Sequence, residues 1–347
     1  MKINTVNTGT IRHILPAGAL PFYRVRFADV LPWVVALAAF FTFDTYMSIG
    51  SQILIMVIFG ISLDLALGFA GINTLGHAAF FGIGAYAAGY FSLHVSPEPF
   101  SGLLVAAGLA AFVGLLSGWL LLRTSGLALL MLTMVTTVVL HELANTWRGV
   151  TGGADGLSGM ETAPLFGLFS FDLYGKTAYL YALGVLFVVF VAVRIIANSP
   201  FGLSIRGIRE NAKRMLLVGT PVHAKLILAY TLSAAIAGIA GGLSAQITRT
   251  VSLDLLSFQL SGNILIMLII GGVGRLYGAF IGIPLYMLLL DRAAAIDPFH
   301  WMFFVGIALI VLVRFAPGGL LALGGSVFDR LRNQFRPFSV NPAKEQK

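Results

Sequence analysis

The sequence contains partial matches to motifs that bind phosphate or zinc, and these matches are incomplete. Residues 175–177 resemble the end of a phosphate-binding loop, but Ser170 stands where that loop requires its first glycine. Residues 141–142 begin a zinc-protease motif, but Asn145 replaces its second histidine. The chain has no cysteine, which excludes thiolate metal sites and cysteine nucleophiles. We therefore expect no catalytic residue, no metal and no cofactor.

Polar and ionisable side chains inside long apolar segments are stronger candidates for function, because they are costly to bury in an apolar medium. Asp64 lies late in one such segment, where it either lines a pathway or is satisfied by a neighbouring helix. Asn73, Gly76 and His77 lie in the next apolar segment, and His77 either packs between helices or contacts a ligand. That segment is predicted to be broken or re-entrant, which requires protein or a cavity to cover its backbone.

One short stretch, SPFGLSIRGIRENAKRMLLVGTP at residues 199–221, concentrates charge in a chain that is only 10% charged. Its apolar residues recur at helical spacing, with basic residues on the other side. Ser204 is predicted to cap a helix at residues 204–218, and Gly219 is predicted to end it. This helix either lies on the inner leaflet of a membrane or docks a partner protein.

The chain as a whole has the composition of a membrane protein. It has 347 residues, of which 58% are hydrophobic, whereas about one quarter of a soluble domain is charged. A bilayer core of about 30 Å needs roughly 20 apolar residues per helix. The predicted spans are residues 29–46, 49–68, 72–93, 102–122, 126–143, 176–196, 225–245, 259–273, 277–291 and 299–315. Small residues recur every four positions in two runs, Ala234-Gly238-Gly242 and Gly274-Gly278-Gly282, which predicts close helix packing.

The lysines and arginines predict the orientation of these spans. With the N-terminus in the cytoplasm, 18 of the 22 fall on the cytoplasmic side, as the positive-inside rule requires. The net charge of +8 is therefore a topology signal and does not indicate nucleic acid. The predicted organisation is a cytoplasmic tail at 1–28, one transmembrane domain at 29–316 and a cytoplasmic tail at 317–347. The loop at 197–223 carries the charged helix on the cytoplasmic side.

Four segments resemble motifs of one transporter family, in the same order along the chain. They are GFAGINTLGHAAFFGIGAY at 68–86, TGGADGL at 151–157, the charged stretch with SAAIAGIAGGL at 233–243, and GGVGRLYGAFIG at 271–282. On these segments the chain resembles the branched-chain amino acid ABC transporter permease family of the LivM/LivH type. The segment at 151–157 favours the LivM branch.

Composition and resemblance together predict an all-α polytopic integral membrane protein of about ten transmembrane helices with a short cytoplasmic coupling helix. The resemblance implies a permease subunit of an ATP-driven importer in the bacterial cell inner membrane. Its implied partners are a second related permease, two cytoplasmic ATP-binding subunits, an extracytoplasmic solute-binding protein and membrane lipid. ATP hydrolysis is expected on the separate partner subunits.

The resemblance also implies roles for particular residues. Those expected to couple the permease to the ATP-binding subunits are Ile205, Ile208, Arg209, Glu210, Asn211 and Gly219. Among these, the isoleucines would fill an apolar groove of the partner, and Arg209 and Glu210 would set the register by charge. The residues expected near the substrate path are Asp64, Asn73, Gly76 and His77.

Other functions remain open at this stage. The substrate implied by the resemblance is a branched-chain amino acid, and the alternatives within the family are urea, short amides and aromatic acids. An ion-coupled secondary carrier would explain the spans but would leave the charged helix without a purpose. No span carries the chain of acidic residues and histidines that suits a proton relay. A non-transporting scaffold whose helix docks an enzyme is a third possibility.

Overall fold

The structure is a computed structural model that describes residues 27–42, 46–165 and 175–297, with residue 300 and scattered residues from 303 to 321. The predicted tails at 1–28 and 317–347 lie almost entirely outside the described residues, as does much of the predicted span at 299–315. The predicted domain boundaries therefore stay predictions.

Helices make up nearly all of the regular structure in the described residues. Their bounds are Phe27–Thr42 (α1), Met47–Leu63 (α2), Ala78–His94 (α3), Pro99–Leu121 (α4), Leu127–Thr146 (α5), Arg148–Thr151 (α6), Lys176–Asn198 (α7), Pro200–Leu217 (α8), Val222–Thr248 (α9), Phe258–Gly271 (α10) and Gly278–Ile296 (α11). A π-helical turn at Asp64–Phe69 extends α2, and 3₁₀ turns lie at Gly153–Asp155 and Leu253–Leu256. Two short strands, Leu157–Ser158 (β1) and Thr250–Val251 (β2), pair antiparallel.

Within the described residues, six helices are long and apolar enough to cross a membrane, namely α2 with its π turn, α4, α5, α7, α9 and α11. The protein is therefore an all-α polytopic membrane protein, but the predicted number of about ten spans is not confirmed. The predicted spans at 72–93 and 259–273 correspond to the shorter helices α3 and α10, of 17 and 14 residues. A helix of 14 residues rises only about 21 Å. Both continue into non-helical backbone, at residues 70–77 and 272–277.

The bundle has two ends that differ in what they carry. At the α8 end, α8 joins α7 to α9, and its Arg209 reaches the end of α2 and the segment at 272–277. At the β1–β2 end, the strand pair ties the loop after α5 to the loop after α9. Because successive helices alternate in direction, this pairing assigns every described loop to one end or the other.

Glycines allow α9 to pack at the centre of the bundle. A Cβ on Gly238 would lie 2.7 Å from the Ala106 carbonyl oxygen of α4, and one on Gly242 would lie 2.9 Å from the Ala106 Cβ. Across α9, a Cβ on Gly241 would overlap the Phe81 carbonyl oxygen of α3. The small-residue run that ends at Gly242 therefore packs against α4, as predicted.

The second small-residue run is only partly a packing surface. Gly278 and Gly282 on α11 approach the backbone of Gly271 at the end of α10, which the prediction expected of them. Gly274 lies outside both helices in the segment at 272–277, with a φ of +79°. The predicted close helix packing therefore applies to Gly278 and Gly282 and not to Gly274, because residues 272–277 leave the helix.

Candidate functional site

The charged stretch forms α8, which starts earlier than the sequence predicts. The Ser199 hydroxyl accepts a hydrogen bond from the Gly202 N–H at 3.2 Å, and Pro200 occupies the first helical position. This is the usual arrangement at a helix N-terminus. Ser204 lies inside the first turns and donates to the Pro200 carbonyl oxygen at 2.7 Å. The prediction that Ser204 caps the helix was therefore wrong.

A break at Asn211 divides α8 into two parts. Asn211 has non-helical angles, φ −159° and ψ 94°, and its Oδ1 accepts a hydrogen bond from the Arg214 N–H at 2.9 Å. The side chain thus caps a new helical start, as asparagine commonly does. We call residues 200–210 the proximal segment and residues 211–217 the distal segment. Gly219, with a φ of +84°, follows the end of the distal segment, as predicted.

The distal segment and the residue after it present apolar and cationic side chains to the exterior. The exposed fraction is 58% for Leu216, 89% for Leu217 and 75% for Val218. Lys213 and Arg214 beside them are also exposed. Exposed leucines next to cations suit either a protein groove or a lipid surface.

The proximal segment faces the interior of the bundle. Ile205 is completely buried and Ile208 is 4% exposed, so both side chains pack within this chain. Arg209 donates a hydrogen bond from Nη1 to the Gly68 carbonyl oxygen in the π turn after α2. The structure therefore buries both isoleucines against the protein's own helices, and not on the outer surface that the sequence interpretation gave them. Arg209 is exposed overall, although its guanidinium binds within this chain. Glu210, the next residue, is exposed.

The segment at 70–77 crosses the interior without helical hydrogen bonds, so side chains of other helices bind its backbone. The Leu75 N–H donates to Thr133 Oγ1 of α5 at 3.2 Å. The Ala78 N–H, at the start of α3, donates to Ser261 Oγ of α10 at 2.9 Å. The prediction of a broken segment covered by protein is confirmed by this geometry.

Two ionisable residues flank this segment, and both are buried. Asp64 is 1% exposed, and its Oδ1 accepts a hydrogen bond from the Gly274 N–H at 2.6 Å. His77 is completely buried, with its Nε2 2.9 Å from the Ser62 hydroxyl and its ring stacked on Phe59 at a centroid distance of 5.5 Å. Of the alternatives left open by the sequence, contact with neighbouring helices is observed for both residues, but Asp64 Oδ2 and His77 Nδ1 have no hydrogen-bond partner within the described residues.

The remaining residues predicted near the substrate path differ in accessibility. Gly76 is buried against α5, where an added Cβ would lie 2.8 Å from Thr137 Oγ1. Asn73 is exposed. The structure thus places Asp64 beside Gly274, Gly76 against α5 and His77 beside Ser62 of α2, and Asn73 alone of the four predicted residues is open to the exterior.

The sequence matches a known transporter family along most of its length. Residues 45–313 match the sequence profile described as branched-chain amino acid transport system / permease component. The chain belongs to this permease family. With six apolar helices among its described residues, this permease is a multi-pass inner membrane protein and a transport subunit.

Named relatives agree with the family. The permease is 25% identical over 297 residues to the high-affinity branched-chain amino acid transport system permease protein LivM of Escherichia coli K12, covering 79% of this chain and 69% of the relative. It is 24% identical over 313 residues to the probable branched-chain amino acid transport permease protein LivM of Methanocaldococcus jannaschii, covering 76% of this chain and 89% of the relative. No solved structure matches the chain.

The sequence interpretation missed the hydroxyl groups that hold the permease's broken segment. Thr133 and Ser261 lie inside apolar helices and bind backbone N–H groups 58 and 183 residues away in sequence. The available signal is a hydroxyl residue that interrupts an apolar span, as at Thr133 and Thr137. Helical periodicity alone does not distinguish such a hydroxyl from one that bonds within its own helix.

Replacing Thr133 with valine is expected to destabilise the permease by about 1–3 kcal/mol, because the Leu75 N–H loses its partner inside the protein. Thr136→Val is the matched control, since the Thr136 hydroxyl bonds the Leu132 carbonyl oxygen of its own helix at 2.8 Å. The midpoint of thermal unfolding in detergent measures both variants. Equal shifts for the two would show that Thr133 does not support the broken segment.

Proposed function

We propose that this permease forms one half of the substrate path of an ATP-driven importer and that the distal segment of α8 binds the ATP-binding subunit. The observation that carries the proposal is the exposed leucine pair at 216–217, set beside cations on a helix whose other part buries Ile205 and Ile208 in the bundle. Such a helix combines an external binding surface with a firm attachment to the bundle.

The two segments of α8 have different proposed roles: the distal segment binds the partner, and the proximal segment transmits its movement. The distal segment supplies the apolar contact, with Lys213 and Arg214 giving electrostatic register. Asn211 acts by starting this segment, and Glu210 lies exposed just before it. The proximal segment, through its buried Ile205 and Ile208, carries movement of the distal segment into the bundle. ATP-driven closure of the partner subunits would then switch the path between inward-facing and outward-facing states.

The partners follow from the family. A permease component of a branched-chain amino acid transport system works with other components, and we assign it a second related permease and two ATP-binding subunits. A solute-binding protein would dock at the opposite end, where the β1–β2 pair orders the loop between α5 and α7. Lipid would cover the exposed apolar faces of the outer helices.

The distribution of charge supports a cytoplasmic α8 end. Among the described residues, nine lysines and arginines lie at or near the α8 end, at positions 123, 194, 206, 209, 213, 214, 225, 275 and 314. Four lie at the β1–β2 end, at positions 148, 176, 249 and 292. The positive-inside rule then favours an orientation with both termini in the cytoplasm.

The proposed substrate is a branched-chain amino acid, as the names of the relatives indicate for those proteins. Its path would pass Asn73, whose amide can bind the amino or carboxylate group of a zwitterion. The path would not be lined directly by Asp64, Gly76 and His77, because these residues contact other parts of the protein. They would instead support the backbone beside Asn73. Urea, short amides and aromatic acids are the alternatives to include in an uptake assay.

The permease should be purified from its native membrane in mild detergent, assayed for ATP hydrolysis, and reconstituted with ATP inside the vesicles for uptake assays. We expect co-purified ATP-binding subunits and uptake of leucine, isoleucine or valine that requires ATP. A permease that purifies alone and whose uptake responds only to an ion gradient would overturn the proposal. The distal segment would then be a lipid-surface element.

Replacing Gly219 with valine is expected to weaken binding of the ATP-binding subunit about tenfold. Gly219 has a φ of +84° and open space around it, so a β-branched residue is strained there by backbone conformation alone. The strain of about 1–2 kcal/mol would misdirect the end of the distal segment. Gly219→Asn is the control, because asparagine tolerates this conformation. The yield of ATP-binding subunit that co-purifies with each variant measures this effect. Equal yields for the two variants would show that the conformation of Gly219 does not affect binding of the subunit.

A further inference from the structure

Arg209 is an exposed residue of α8 whose guanidinium reaches a cluster of backbone groups at the end of the bundle. Its Nη1 donates to the Gly68 carbonyl oxygen, and its Cγ lies 2.8 Å from the point that a Cβ on Gly71 would occupy. Its Nη1 also lies 2.9 Å from the corresponding point on Gly274. A Cβ at Gly71 or Gly274 would therefore collide with the Arg209 side chain, so this contact requires glycine at both positions.

The same cluster contains the buried Asp64. Its Oδ1 accepts the Gly274 N–H at 2.6 Å, whereas Oδ2 has no hydrogen-bond partner within the described part of the chain. The Arg209 guanidinium reaches both Gly68 and Gly274, so its positive charge lies near this carboxylate. Arg209 and Asp64 thus hold Gly68 and Gly274 between them, and the cluster joins α8, the π turn after α2 and the segment between α10 and α11.

Each of the joined elements has the local structure of a part that moves. The turn that holds Asp64 and Gly68 is π-helical, a form that frequently marks functional sites. Gly71 and Gly274 have φ values of +72° and +79° and lie in non-helical segments. A guanidinium group offers five donors in a fixed fork, so it can hold a backbone carbonyl while the helix that carries it rotates.

Moving α8 without the bundle would separate Arg209 from Asp64. A buried carboxylate that loses its compensating cation is strongly disfavoured. Displacement of α8 therefore has to carry the π turn and the 272–277 segment along, or else incur that penalty.

We propose that Arg209 is a positioning residue that transmits the movement of α8 to the π turn of α2 and to the segment between α10 and α11, with Asp64 as its electrostatic partner. This inference rests on the proposed function. It differs from the sequence interpretation, in which Arg209 contacts the ATP-binding subunit directly.

The test uses the complete purified complex in vesicles and measures substrate transported per ATP hydrolysed for Arg209→Gln, Asp64→Asn and the double variant. We expect each single variant to lower this ratio at least tenfold. The thermal unfolding midpoint in detergent should fall for Arg209→Gln, which leaves the buried Asp64 carboxylate without its cation, and should change little for Asp64→Asn. The double variant should lose no more than either single variant, because both residues act through one cluster. Arg206→Gln is the comparison on the same segment, since the Arg206 guanidinium lies over the Phe69 ring of the π turn at 4.7 Å. Because this contact joins α8 to the π turn without a hydrogen bond to its backbone, Arg206→Gln is expected to lower the ratio less than Arg209→Gln, and an equal loss would show that Arg209 has no particular role.

The outcomes separate the inference from the proposed function. If the wild-type complex shows no ATP-dependent uptake, the proposed function fails and the inference fails with it. If the wild type transports and both single variants keep the wild-type ratio, Arg209 has no positioning role and the proposed function stands. If Arg209→Gln does not accumulate, the test uses the nearly isosteric Asp64→Asn variant alone. A wild-type ratio of substrate transported to ATP hydrolysed in that variant would overturn the inference.

Discussion

Replacing Gly241 with alanine should lower the stability of the permease by about 3 kcal/mol and sharply reduce its accumulation in membranes. The added Cβ would overlap the Phe81 carbonyl oxygen and lie 2.9 Å from the Ala85 N atom. These are backbone atoms of α3, so no side-chain rotation relieves the contact, and α3 and α9 must separate. Overpacking of a core costs about 1–3 kcal/mol when side chains can adjust, and backbone contacts lie at the upper end. Unfolding in mixed micelles measures the change.

A matched control makes this expectation specific. Gly108 lies in the middle of α4, and a Cβ there meets nothing within 4 Å. Alanine is favoured over glycine in a helix by about 1 kcal/mol, so Gly108→Ala should stabilise the permease or leave it unchanged. The same substitution therefore has opposite expected signs at two helical glycines. If Gly241→Ala proved as well tolerated as Gly108→Ala, the close contact between α3 and α9 would not exist.

Replacing Leu217 with aspartate should abolish retention of the ATP-binding subunit while leaving the fold intact. Leu217 is 89% exposed, so the substitution disturbs no contact of the free permease. In the proposed complex it would place a carboxylate in an apolar groove. Loss of one such anchor commonly costs 2 kcal/mol or more, which corresponds to about 30-fold weaker binding. Co-purification and ATP hydrolysis both measure the loss.

The control for this prediction lies on the same helix. Leu216 and Leu203 are 58% and 59% exposed, but Leu203 belongs to the proximal segment. Leu216→Asp should weaken retention by at least tenfold, and Leu203→Asp should retain the partner within about twofold. If both substitutions had the same effect, binding would not depend on the distal segment. If neither had an effect while vesicle binding fell for both, α8 would act on lipid.

Much of the helical framework could be predicted from apolar segments, because a bilayer requires long runs of such residues. The helices α4, α5, α7 and α9 lie within a few residues of their predicted bounds. The charged helix was also recognisable, since its residue types contrast with everything around it. Its end at Gly219 was predictable because glycine adopts positive φ without strain. The family was apparent from motif order and is confirmed by the match over residues 45–313.

The interior of the candidate site was not predictable in the same way. Helical spacing gave α8 an apolar face and a charged face, but it did not indicate that the Arg209 guanidinium would bind the π turn after α2 or that Asn211 would break the helix. Both features depend on the place where the helix meets distant chain. Arg209 binds Gly68 across 141 residues, and Asp64 binds Gly274 across 210.

The amino-acid sequence by itself determined the class of protein, most of its helices and the family, because these depend on composition and local spacing. The tertiary structure decided which side chains are available to a partner. It buried Ile205 and Ile208, exposed Leu217 and enclosed Asp64. The physical reason is that burial results from contacts between segments far apart in the chain, and local periodicity describes only the segment itself.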